Sequence, residues 1–164
     1  MNARDILFYG DQTLKQTLES VPADLWETVG ATSGWTVKDV LAHLASYEMV
    51  LADVLEAAID PGKPTPTLDG FRDNEKTFSE SHVERQNGES RDTVQKEYDT
   101  AHERVMRAIE KIPPETRRTP GTIAWYGPEY SLDDFLVYNN YAHKREHSGM
   151  IRLFLASRRQ QQST

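Results

Sequence analysis

The chain has no cysteine in its 164 residues, which excludes disulfides, thiolate metal sites and a cysteine nucleophile. It has no apolar run near the roughly 20 residues needed to span a bilayer, so no membrane partner is expected. Basic residues are scarce, 19 Lys and Arg against 26 Asp and Glu, for a net charge of −7. Phosphate binding needs a basic surface, so no nucleic-acid partner is expected either. The basic pairs Arg117-Arg118 and Arg158-Arg159 are too short to change that. No Gly-x-Ser-x-Gly elbow is present, which removes Ser/His/Asp hydrolysis of that kind. The N-terminus, MNARDILFYGDQTLKQ, is too polar for a secretory signal. A cytoplasmic location is the expectation.

What is present reads as helix. A hydrophobic share of 37% with 27% charged residues suits helices that each show one face to water. Ile6, Leu7, Leu14 and Leu18 recur at helical spacing, predicting a first helix from about Ala3 to Ser20 before Pro22. Thr36 and Asp39 form a capping-box pattern, with Trp35 placed to staple onto Val40. Val37, Val40, Leu41, Leu44, Leu51, Val54 and Leu55 then give a second helix ending before Asp60-Pro61-Gly62. A polar segment near Leu68 to Ser81 follows, broken by Gly88. Ser90 opens a helix carrying Val94, Tyr98, Ala101, Val105 and Ile109, which Pro113-Pro114 closes. The link up to Tyr130 is long for a helical bundle; its Trp125, Tyr126 and Tyr130 either cover a pocket mouth or pack the loop. Ser131 and Asp134 open the last helix, expected to reach about Ser157. The pattern predicts an all-α four-helix bundle with a short extra helical segment and at least one crossover connection. Residues 1–157 form the expected single domain, and 158–164 a frayed tail.

The chain has five histidines, and two of them, His143 and His147, stand four apart on the last helix. At about 100° per residue, Leu132, Leu136, Asn139, His147, Met150 and Phe154 lie within roughly 40° of His143. One stripe is therefore apolar at both ends and polar in its middle. On the second helix, His43 sits at the edge of the apolar face beside Val40, Tyr47 and Val54. If these two helices are neighbours, three imidazoles converge, a donor set suited to Zn²⁺, Ni²⁺ or a similar ion with positions left for water or substrate. The other reading keeps the histidines metal-free, bonded to backbone or to Glu48, Glu146 or Tyr141. Lys144 follows His143, so the glutamate base of a His-Glu-x-x-His site is absent. His82 and His102 lie in charged neighbourhoods and read as surface residues. Asn74 and Arg72 either face a pocket or are solvated.

Gly-Trp-Thr-Val-Lys-Asp-Val-Leu-Ala-His-Leu, residues 34–44, resembles the second-helix signature of the DinB/YfiT-like superfamily. Tyr-Ala-His-Lys-Arg-Glu-His with Ile151-Arg152 resembles its last-helix signature, and the order of segments is similar over nearly the whole chain. Asn74 and the run Asn140, His143, Arg145, Glu146, His147 look closest to the ClbS/DfsB branch. The resemblance implies a four-helix bundle, often a homodimer, with zinc or nickel on His43, His143 and His147. It implies a small-molecule substrate and activities such as hydrolysis, thiol transfer from a low-molecular-weight thiol, or thiol-dependent isomerisation. The ClbS branch includes a resistance protein that opens a cyclopropane in a genotoxin. A metal-free hydrolase or resistance protein of that kind is one alternative, and a non-enzymatic binding or sequestering protein another. Tyr47 and Glu48, about one turn beyond His43, are candidates for proton transfer or ligand orientation. Glu146 and Asp39 are candidate acceptors for an imidazole N–H, besides their plain duties on a helix surface and in a cap.

Overall fold

The computed structural model describes residues 2–32 and 34–162. Four long helices form the body: α1 (Ala3–Glu19), α2 (Val37–Ile59), α5 (Arg91–Ile109) and α8 (His143–Gln162). Short helices α3 (Pro66–Asp73) and α4 (Glu75–Arg85) join α2 to α5, and α6 (Pro114–Arg118) and α7 (Leu132–Leu136) lead towards α8. No β-strand occurs among the described residues. The bundle is all-α, as the patterning predicts. Sequence caps set the boundaries: Asn2, Thr36, Ser90 and Ser131 each accept a backbone N–H in the first turn of their helix, satisfying donors that have no partner within the helix.

Cross-helix contacts fix the topology. Arg4 meets Glu110 and Asp11 meets Tyr98, so α1 and α5 are antiparallel. Gly10 backs onto Tyr141 and Lys144 while Thr17 receives Arg152, so α1 and α8 are parallel. Lys38 reaches Glu89 and Arg104 reaches Asp53, so α2 and α5 are parallel. Two consecutive parallel helices need a connection that returns along the bundle. Residues 60–90, with α3 and α4, are that crossover.

The interior has three levels. Leu7, Leu51, Leu55, Val105, Leu132 and Leu136 fill one end; Leu14, Leu41, Leu44, Val94, Ile151 and Phe154 fill the other. Between them, Asp11, Glu48, Tyr98, His102, Asn140 and Lys144 form a buried polar layer. Here α1 comes close to α8 because Gly10 has no side chain: a Cβ there would stand 3.2 Å from the Tyr141 ring.

Three expectations need correction. The polar third segment is two helices, because Asn74 (φ −141°, ψ 45°) leaves the helical region. The last helix, expected to end at about Ser157, continues to Gln162; Ser163 and Thr164 lie outside the described residues. It is also not a uniform α-helix, since Val137–Ala142 is π-helical. A π-turn inserts residues into the helical phase, so the 100° rule fails over that stretch: Asn140, rather than Asn139, points inward.

Candidate metal centre

His43 lies just past the first turn of α2, whose register is set by the Thr36–Asp39 capping box. The Asp39 carboxylate accepts from the Thr36 backbone N–H at 2.9 Å and from its hydroxyl at 2.8 Å. Asp39 therefore serves the cap, and no imidazole is among its hydrogen-bond partners. His143 opens α8 directly after the π-helical stretch, and His147 stands one turn later on the same face. Because α2 and α8 pack antiparallel, with His43 facing His143 and Glu48 facing Asn140, the three imidazoles meet.

They meet through one atom each. His43 Nε2 is 2.8 Å from His143 Nε2, and His147 Nε2 is 3.0 Å from the same atom. Their second nitrogens are held differently. His43 Nδ1 is hydrogen-bonded to the Ser79 hydroxyl of α4. The Asn139 backbone lies close enough to favour the protonated form of the His143 ring, and the His143 backbone N–H turns to Asn140. His147 Nδ1 is buried with no partner. All three imidazoles titrate below the ordinary histidine range. Burial lowers His43 to about 3, helped by repulsion from His143 and His147. Burial and then His147 lower His143 to about 4; burial also lowers His147, partly offset by Glu146.

This chemistry fits a cation. With Nε2 turned to the other two imidazoles, the His143 tautomer that carries its proton on Nδ1 presents a lone pair to them. That lone pair can accept an Nε2–H from His43 or His147, an arrangement that still leaves His147 Nδ1 without a partner. A divalent ion accepts all three lone pairs at once. With metal–nitrogen bonds of about 2.0–2.1 Å, the nitrogens would stand roughly 3.3 Å apart, an opening of a few tenths of an ångström. A set of three histidines leaves a coordination position for an exogenous ligand.

Aromatic rings bound the cluster. Tyr47 stacks edge-on to His143 with centroids 4.6 Å apart and lies 5.0 Å from His43; Trp35 lies 5.1 Å from His43. Burial and Glu75 raise the Tyr47 phenol, which stays protonated near neutrality.

Glu48 is elsewhere. Four residues beyond His43 bring Tyr47 back to the same face, whereas five turn Glu48 about 140° away. Its Oε1 accepts from Lys144 Nζ, from Asn140 Nδ2 at 3.0 Å and from His102 Nδ1 at 3.3 Å. Burial pushes the carboxyl up, but Lys144 and His102 outweigh it and hold it at about 2. Asn140 belongs to the same layer, not to the imidazoles. Asn139 turns its amide outward to the Tyr126 hydroxyl at 2.8 Å, so the segment at Trp125 and Tyr126 is tied to the last helix and packed against Phe71 and Phe135. Glu146 is exposed and acts on His147 only through its charge. Asn74 is exposed between α3 and α4, at a cavity on the far side of α4.

His82 and His102 are not surface residues; both are buried. His102 stands four residues after Tyr98 and three before Val105, so the apolar stripe of α5 passes through it while its charged sequence neighbours face out. His82 pairs with Glu97 at 2.6 Å. Two further residues carried too weak a signal in the sequence. Ser79 lies in a polar helix with no visible apolar face. Lys144 shares the inward register of Asn140, Ser148 and Ile151, which helical spacing alone could have suggested.

The sequence profile of the mycothiol maleylpyruvate isomerase N-terminal domain family matches residues 10–131. The chain belongs to that family. It is thereby a member of the DinB/YfiT-like superfamily; the match does not separate the ClbS/DfsB branch from its neighbours. No curated protein and no solved structure matches the chain. The family match takes in α2 with His43 and ends at Ser131, so His143 and His147 lie on the helix that follows it.

Proposed function

We propose that His43, His143 and His147 hold a divalent ion, zinc or nickel, and that the protein uses it to act on a small molecule as a thiol transferase or hydrolase. One observation carries this reading: three imidazoles, from α2 and α8, bring their Nε2 atoms together, 2.8 and 3.0 Å from that of His143, as a donor set within reach of one ion. The family's name links it to a thiol, mycothiol, which favours a low-molecular-weight thiol as co-substrate. When bound, the ion would lower the pKa of a coordinated thiol or water towards neutrality and so supply a nucleophile. The chain's own residues orient and enclose. Ser79 fixes the His43 ring through Nδ1. Trp35 and Tyr47 exclude water from one side, and the protonated Tyr47 phenol is a donor for a substrate oxygen. Glu48 has no part in the chemistry in this reading. A homodimer is part of the proposal, supported by exposed Phe8 and Tyr9 on α1 and Leu153 on α8.

The test is metal analysis of protein purified without chelator, beside His143→Ala. Stoichiometric metal that the variant loses is the expected result. No metal in either, after incubation with zinc or nickel, overturns the proposal. Cobalt-loaded protein should then gain a sulfur-to-metal charge-transfer band on addition of a thiol. Thiol binding without turnover would point to a sequestering protein instead.

A further inference from the structure

The three imidazoles are not held alike. Tyr47 packs on the rings of both His43 and His143, and Trp35 packs on His43. Among the described residues, the rings against His147 are the other two imidazoles alone, each with its centroid 4.7 Å away. Hydrogen bonding follows the same order. Ser79 holds His43 Nδ1 from α4, and the Asn139 backbone lies beside the His143 ring. His147 Nδ1 has no partner among the described residues and is shut off from solvent, on a residue only 8% exposed.

That orphaned nitrogen matters once the ring binds a cation through Nε2. A coordinating imidazole is neutral and gives its Nε2 lone pair to the ion, so its one proton sits on Nδ1. On His43 that N–H donates to the Ser79 hydroxyl. On His147 it is a buried donor with no acceptor, which sets a desolvation penalty against every metal–nitrogen bond the ring makes. Ligating histidines ordinarily hand this proton to a partner, and a missing partner weakens metal affinity about 10–100-fold.

We infer that His147 is the weakest-held of the three ligands and the one that yields its place when a thiol enters. The inference rests on the three-histidine reading above. His43 and His143 keep the ion between α2 and α8, and departure of His147 adds a second position to the one that three histidines leave open. The exchange breaks one metal–nitrogen bond and forms one metal–sulfur bond, the thiol proton passing to solvent. Two positions on one ion suit a reaction that joins a thiol to a second molecule, which favours thiol transfer over hydrolysis.

Zinc affinity of the full chain, by chelator competition, compares His43→Ala, His143→Ala and His147→Ala with the wild type. The loss in His147→Ala should be about 10–100-fold smaller than in either other variant, the factor its missing partner is worth. In a Ser79→Ala background, where His43 Nδ1 is orphaned too, the His43→Ala loss should shrink towards that of His147→Ala. NMR of the histidine ring nitrogens in the zinc-loaded wild type reads the exchange without any substitution. On addition of 2-mercaptoethanol, the His147 signals should move to their metal-free positions while those of His43 and His143 stay. Equal losses at all three positions, or His147 signals still metal-shifted at saturating thiol, would overturn this inference alone. A wild type that binds no zinc overturns the three-histidine reading and this inference with it.

Discussion

Two polar clusters sit side by side in the middle of this bundle, built from near neighbours in sequence. His43 and His143 face one way; Glu48 and Lys144 face another. The Glu48 cluster is charge-compensated: ammonium, carboxylate, imidazole and amide meet around one oxygen, and the pair is fully enclosed. The histidine cluster is electrically neutral: three imidazoles bring their Nε2 atoms together with no charged partner hydrogen-bonded to them, and His147 Nδ1 is left without a partner. Ion pairing around Glu48 ties helices together, whereas three neutral imidazoles with no charged partner are a donor set for a cation. The difference separates structure from site better than burial, since both clusters are buried.

The largest expected effect breaks the scaffold side. Lys144→Met leaves Glu48 buried without its cation, which typically costs about 3–5 kcal/mol. Urea denaturation should show it, and adding Glu48→Gln should restore part of the loss. Ser79→Ala acts on the site side. Removing the partner of a ligating imidazole costs about 10–100-fold in metal affinity, measured by competition with a chelator, with urea stability little changed. If Ser79→Ala unfolds the protein while Lys144→Met only weakens metal, the two roles are reversed.

Acid should distinguish the clusters by window. The folded-state imidazoles lie below the ordinary value of 6.5, His43 at about 3 and His143 at about 4, so the unfolded chain binds more protons between those limits. Metal-free protein is then most stable above about pH 6.5 and loses stability as pH falls towards 3. Glu48, depressed from 4.5 to about 2, adds its own loss only below about pH 4.5. Thermal melts of chelator-treated protein across pH 3 to 8 should show decline beginning in the histidine window. Thr36→Ala, which removes the cap that sets the register of α2, should have the smallest effect, about 1 kcal/mol of stability, with metal retained.

Helix boundaries were legible because caps and prolines are local: Thr36–Asp39, Ser90 and Ser131–Asp134 act within one turn. His43, His143 and His147 were legible because two regular helices carry them on apolar stripes. What was missed depends on non-local geometry. The π-helical turn exchanged the roles of Asn139 and Asn140, and no single residue in Val137–Ala142 announces it. His82, His102 and Lys144 were buried by partners far along the chain, Glu97, Asp11 and Glu48. Ser79 reaches His43 only because the crossover folds back over α2.

X-ray absorption at the metal edge of zinc- or nickel-loaded protein tests the central claim most directly. The account predicts imidazole scattering that fits three histidine nitrogens, with zinc–nitrogen distances of about 2.0–2.1 Å, falling to two in His143→Ala if any metal is retained. A first sphere of oxygen alone, or one unchanged by His143→Ala, would contradict it.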